Sequence, residues 1–253
     1  AKTIYAMRKT LFLIYQWVIT VPILTLITIV TALITIIGTA LGKRDYWGYW
    51  PARFWSRCVC TLWFIRIKVK GRENIDPNTS YVFVANHQGA VDIWTIYGYL
   101  NHNFKWLMKK SLEKVPFVGP ACRAAGHVFV DDSNPRGIRE TIGEAEQRLR
   151  DGMSVVIFPE GSRTYDGNLR PFKRGAFMLA AEFGLPVVPI TIDGAFDRMP
   201  RTTYNATPGT VNVTIHPPIY PGPRGFNTKQ LLEQSREQIQ SVLPHRGDVA
   251  TRE

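Results

Sequence analysis

From Leu11 to Leu41 the chain runs 31 residues without a charge, and no other feature limits its fold as much. About 20 apolar residues suffice to cross a bilayer core, and a straight helix of this length would extend about 47 Å. Pro22, Gly38 and threonines at 20, 25, 28, 31, 35 and 39 interrupt the stretch, so a steeply tilted span and a two-helix re-entrant hairpin are both open. Charge favours the hairpin. Lys2, Arg8 and Lys9 precede the stretch and Lys43, Arg44, Arg53 and Arg57 follow it, and positive flanks mark the cytoplasmic side of a membrane. A cleaved signal peptide has a shorter apolar region, roughly 7–15 residues. Trp47, Tyr49, Trp50, Phe54 and Trp55 then alternate with arginines, a mixture suited to the lipid headgroup zone.

The whole chain has 253 residues, enough for a single large core. Its 31 Lys and Arg against 20 Asp and Glu give a net charge of +11, which attracts phosphate-rich partners. Zinc-finger pairs, aromatic RNA-binding strands and basic helices ahead of heptads are all missing, so no nucleic-acid partner is expected and membrane lipid is the better reading. Cys58, Cys60 and Cys122 match neither a zinc nor a redox spacing, and buried reduced thiols are expected.

After Arg66 short apolar runs alternate with polar helical patterns, the signature of an α/β fold with a mixed, largely parallel sheet flanked by helices, behind the N-terminal membrane-embedded helical hairpin. Strands are predicted at Ile65–Val69, Tyr81–Ala85, Val128–Val130, Ser154–Phe158, Val187–Ile192 and Val211–Ile215, with Tyr81–Ala85 central because it is apolar throughout. Helices are predicted over Pro135–Arg150, near Gly175–Phe183 and over Thr228–Leu243. Residues 1–64 are thus expected to form an anchoring hairpin and interfacial segment, 65–243 an α/β domain and 244–253 a disordered tail.

Two of these strands run out into polar turns, where active groups collect in open α/β sheets. After the first come Asn86, His87 and, five residues beyond His87, Asp92. A turn at Gly89 folds Asp92 back towards the imidazole, so the carboxylate can fix the ring tautomer while the other ring nitrogen takes a proton from an attacking hydroxyl. After the second comes Phe158-Pro-Glu-Gly-Ser-Arg163. Gly161 lets backbone approach a ligand, Arg163 can grip a phosphate through two parallel hydrogen bonds, and Glu160 is expected to orient Arg163 or a substrate hydroxyl.

These blocks resemble those of the glycerolipid acyltransferases, N-H-x-x-x-x-D and F-P-E-G-[ST]-R, and most resemble the bacterial 1-acylglycerol-3-phosphate acyltransferase branch. Leu185-Pro-Val-Val-Pro-Ile190 looks like the fourth block, Phe172-Lys173-Arg174-Gly175 the stretch that follows the third, and Lys109-Lys110 the family's basic pair. The likeness covers roughly Asn74 to Pro218. Gly126-His-Val-Phe-Val-Asp131 resembles the second block, but Asp132 stands where an arginine commonly ends it, so Arg123, Arg136 or Lys109 is needed to supply that cation.

The resemblance implies transfer of a fatty acyl group from acyl-CoA or acyl carrier protein to the sn-2 hydroxyl of lysophosphatidic acid, giving phosphatidic acid. His87 acts as general base and Asp92 as its orienting partner. Lys109, Glu160, Gly161, Ser162, Arg163 and Lys173 bind substrate, and amides near Gly161 or a helix N-terminus hold the oxyanion. Neither cofactor nor metal is implied, and His102, His127, His216 and His245 are expected to be structural or exposed. The expected location is a membrane, a bacterial inner membrane with the catalytic domain on its cytoplasmic side. Another lysolipid or an amino-acid lipid as acceptor, or thioesterase activity, are the alternatives, and the presence of both His87 and Asp92 argues against a non-catalytic membrane-binding protein.

Overall fold

The computed structural model describes residues 2–130, 135–150, 152–222 and 225–244. Residues Ala6–Ala40 lie in one 35-residue helical rod, made of α1 (Lys2–Tyr15), a π-helical turn Gln16–Thr20 and α2 (Val21–Ala40). Pro22 does not break it: the helix runs through it directly after the π-helical turn, the kind of local adjustment that accommodates a missing N–H. Gly38 does not turn the chain either. A Cβ there would lie 2.5 Å from the Trp47 ring, so the glycine makes room for the tryptophan. The reversal expected inside Leu11–Leu41 comes later, through Gly42 and Lys43 with φ of 112° and 50°. The short helix α3 (Arg44–Trp47) follows, and α4 (Trp50–Leu62) is the returning limb against α2.

Three threonine hydroxyls in α2, at 25, 28 and 39, donate to carbonyls one turn back along the helix. Thr25 and Thr28 donate to the carbonyls of Val21 and Leu24 at 2.8 and 2.7 Å, and Thr28 also accepts from the Trp55 indole at 2.8 Å. The outer face of the rod, including Leu11, Ile14, Val18, Leu26, Ile34 and Ile37, is exposed. An uncovered apolar strip of this length associates with a membrane.

Behind it, β1 (Ile65–Lys70), β2 (Val82–Ala85), β3 (Phe104–Lys109), β4 (Val128–Val130), β5 (Ser154–Ile157), β6 (Val187–Asp193) and β7 (Gly209–Ile215) form one sheet. Its order is β1-β7-β6-β2-β5-β3-β4. Neighbours are parallel except β6 with β7. All four residues of β2 are buried, as its unbroken apolar run requires. The remaining described helices are α5 (Val91–Tyr99), α6 (Val118–Ala125), α7 (Pro135–Arg150), α8 (Gly175–Phe183), α9 (Ala195–Arg198) and α10 (Thr228–Val242). Side chains from α4 and α5, such as Val59, Cys60 and Ile96, bury one face of the sheet, while Ala145, Phe177 and Leu231 from α7, α8 and α10 bury the other.

Strand β3 has no counterpart in the sequence-based reading. Lys105 interrupts its apolar run, yet that side chain is buried and its ammonium lies 3.1 Å from the Asp45 carboxylate on α3. Most of the tail that was expected to be disordered lies outside the described residues. No disulfide joins Cys58, Cys60 and Cys122, of which Cys60 is buried and the other two are half-buried.

Candidate active site

Because β2 and β5 are parallel neighbours, the turns that leave them emerge side by side at the carboxyl edge of the sheet. Asn86 closes β2: its amide donates to Ile192 O at 2.8 Å and accepts from Ile192 N–H at 2.7 Å, pinning the strand end to β6. The chain then turns tightly at Gly89, where a Cβ would stand 2.4 Å from the Met199 carbonyl. That turn carries Asp92, in the first turn of α5, back to His87.

Asp92 is fully buried and His87 is 13% exposed, with Nδ1 2.8 Å from Asp92 Oδ2. The same carboxylate oxygen accepts from the backbone N–H of Gln88 at 2.5 Å and of Gly89 at 2.8 Å. Oδ2 acts as acceptor towards both amides and towards the ring, so Nδ1 is the ring nitrogen that carries the proton. The lone pair is then on Nε2, the arrangement a general base needs. The imidazole lies flat on Phe158, with centroids 3.9 Å apart and planes 8° from parallel, which restrains ring rotation.

The second turn is locked onto the first. Thr164 N–H donates to His87 O at 2.9 Å, and Glu160 accepts the His87 N–H on one oxygen at 2.7 Å and the Arg170 N–H on the other at 2.8 Å. Glu160 therefore holds main chain with both oxygens, and it makes no hydrogen bond to Arg163 among the described residues. Sequence motifs name side chains, and a carboxylate that serves two backbone amides is invisible in them. Burial raises the Glu160 carboxyl from 4.5 to about 7, against the opposing pull of those two amides.

A carboxyl whose pKa is raised on folding binds its proton more tightly in the fold. The stability tied to that proton is complete below about 4.5 and is lost as pH rises through about 7. Glu160→Gln does not titrate, so its Tm relative to the parent should rise between about pH 5 and about pH 8, corresponding to up to about 3 kcal/mol. A Tm difference that stays constant over that range contradicts this.

Gly161 adopts a φ of 74°, and the end of the Lys173 side chain lies over it, 2.8 Å from where a Cβ would project. Any side chain at 161 displaces that ammonium. The N–H of Gly161 donates to Phe158 O at 3.0 Å, and the Gln88 and Gly89 amides serve Asp92. The turn itself thus uses the amide of Gly161, one of the amides in the neighbourhood where an oxyanion was expected to be held. Ser162 is hydrogen-bonded through its hydroxyl to the Arg170 guanidinium. The Arg163 guanidinium, half-buried, makes no hydrogen bond or ion pair among the described residues, whereas its carbonyl accepts from Arg201 Nη1 at 2.9 Å.

Lys109 is exposed at the end of β3, on the same sheet edge and two strands from His87. Arg123 pairs with Glu113, which removes it as a free cation. Asp132 lies outside the described residues, as does the side chain of Arg136. His102, His127 and His216 are buried. His127 accepts from Trp106 N–H at 3.1 Å on Nδ1 and meets the Tyr97 hydroxyl at 2.8 Å on Nε2. Burial and the nearby Lys105, Arg148 and Arg44 charges push its pKa down to about 3, so it stays neutral as a structural link.

Comparison with known proteins follows the same two turns. Residues 66–193 match the acyltransferase family, the segment that carries both. A 1-acyl-sn-glycerol-3-phosphate acyltransferase of Chlamydomonas reinhardtii is 30% identical over 240 residues, 94% of this chain and 70% of the relative. A chloroplastic enzyme of the same description from Brassica napus is 34% identical over 78% of this chain, and the human alpha enzyme 33% identical over 62%. The chain spans 56% of the length of each of these two. Among solved structures, the 1-acyl-sn-glycerophosphate acyltransferase PlsC of Thermotoga maritima superposes with a TM-score of 0.78 at 28% identity, covering 93% of this chain and 95% of that one. The chain belongs to the acyltransferase family.

Proposed function

We propose that this member moves a fatty acyl group from a thioester, acyl-CoA or acyl carrier protein, to the sn-2 hydroxyl of lysophosphatidic acid, giving phosphatidic acid. The observation that carries the reading is the His87–Asp92 contact, which leaves Nε2 as a base beside a turn bearing Gly161, Arg163 and Lys173. In the forward step Nε2 takes the acceptor hydroxyl proton as that oxygen attacks the thioester carbonyl. Collapse of the tetrahedral intermediate breaks the carbon–sulfur bond, and the departing thiolate takes the proton back from Nε2. Asp92 stabilises the imidazolium in between. Glu160 and Phe158 act on the main chain and ring of His87, as positioning residues, and the cations at 109, 163 and 173 serve the acceptor phosphate.

Acceptor and donor both arrive at a membrane surface. The exposed rod, the turn back through Lys43 and Arg44 and the Arg53 guanidinium 5.0 Å over the Trp50 ring support a catalytic domain on the cytoplasmic face of a membrane, a bacterial inner membrane by the resemblance.

Arg163→Ala tests the phosphate assignment. Loss of a charged bidentate contact should raise the KM for lysophosphatidic acid about tenfold or more while the KM for the thioester stays within about twofold. Arg163→Lys should recover part of the loss, since a point charge replaces only part of a forked contact. Equal losses towards both substrates would make the guanidinium a structural element of the turn. A panel of lysophospholipid acceptors tests the reading as a whole. Preference for an amino-acid lipid, abolished by Asp132→Arg, would overturn the acceptor and leave the catalytic pair intact.

A further inference from the structure

Gln16 is the single carboxamide in the uncharged stretch, and it is fully buried. Both ends of its amide are used: Nε2 donates to Tyr204 O at 2.9 Å and Oε1 accepts from Ala206 N–H at 2.9 Å. Beside it the Trp17 indole donates to Asn205 Oδ1 at 3.0 Å. Two consecutive residues of the rod thus hold three consecutive residues of one loop. They sit at the start of the π-helical turn Gln16–Thr20, a form that holds one residue more than an α turn and occurs mostly at functional sites. Here it sets the register in which both side chains meet the loop.

The same loop reaches the catalytic turn eight residues or fewer away. Arg201 donates to the Arg163 carbonyl at 2.9 Å and lays its guanidinium 3.8 Å from the Tyr165 ring centroid. Pro200 forms a backbone bridge with Gly89, and the Met199 carbonyl occupies the space a Gly89 side chain would need. Gly89 in turn supplies one of the amides on Asp92.

We infer that residues 199–206 are a strut between the apolar helix and the catalytic turn, and that Gln16 is a positioning residue for His87, Asp92 and Arg163. The inference rests on reading His87 and Asp92 as the acyl-transfer pair. Its physical basis is that a buried amide paired at both ends fixes a loop closely, while a displacement of about 1 Å at reacting groups can cost about a hundredfold in rate.

Gln16→Leu in the full chain, held in phospholipid nanodiscs, removes both hydrogen bonds and leaves the helix apolar. Amide hydrogen exchange at Gln88 and Gly89 should quicken about tenfold, with exchange in β2 and β5 unchanged. The kcat with lysophosphatidic acid should fall about tenfold with KM values within about twofold. Unchanged exchange at Gln88 and Gly89 overturns the strut, and so does faster exchange throughout the sheet, the mark of general destabilisation. The exchange readout needs no substrate. A parent chain that leaves lysophosphatidic acid unacylated therefore counts against the proposed function, while exchange still decides the strut.

Discussion

His87→Ala is expected to lower kcat for acyl transfer by about 10²–10⁴-fold while both KM values stay near those of the parent. The imidazole sits in a frame that survives its removal: the His87 N–H and C=O, which bond Glu160 and Thr164, belong to the backbone and not to the ring. Loss of the ring removes the base and exposes one face of Phe158, and little else changes. Steady-state kinetics against both substrates check this, and transfer at the parental rate would remove His87 from the mechanism.

Asp92→Asn should reduce kcat by about 10³-fold or more, for a reason the geometry isolates. All three donors, the imidazole and the Gln88 and Gly89 amides, converge on Oδ2, and the buried Oδ1 has no hydrogen-bond partner among the described residues. An asparagine can place its carbonyl oxygen where Oδ2 stands and its amide where Oδ1 stands, so the turn keeps its hydrogen bonds. Only the negative charge is lost, and with it the stabilisation of the imidazolium formed during attack. A variant that folds as the parent and loses turnover supports this charge role. One that retains turnover would reduce Asp92 to a cap on α5.

How the chain announces this site differs from element to element. The two turns of the candidate site were legible because each follows an apolar strand and carries residues that a plain turn does not need. That β2 and β5 are adjacent was not legible, since strand order depends on packing across the whole sheet. Strand β3 escaped because a buried lysine looks polar in sequence, while in the fold its Asp45 partner comes from a helix 60 residues away. The turn of the N-terminal hairpin was misplaced for a related reason. Gly38 reads as a breaker, but it serves the close packing of Trp47 against a helix that continues past it.

Among the site residues, the end of the Lys173 side chain lies over Gly161, and the half-buried Arg163 guanidinium makes no hydrogen bond or ion pair among the described residues. Glu160 was expected to face substrate or Arg163, and instead its two oxygens join the first turn to the second. Main-chain partners of this kind leave no trace in residue identity. The same holds for Gln16, whose only sequence signal is a carboxamide among apolar residues.

The most direct test is to identify the product. Purified protein in phospholipid nanodiscs, given lysophosphatidic acid and isotopically labelled acyl-CoA or acyl carrier protein thioester, should yield phosphatidic acid labelled at sn-2, with one thiol released per lipid formed. The His87→Ala protein should form almost none. Label recovered as free fatty acid, or in a different lipid while lysophosphatidic acid is left untouched, would contradict the assignment.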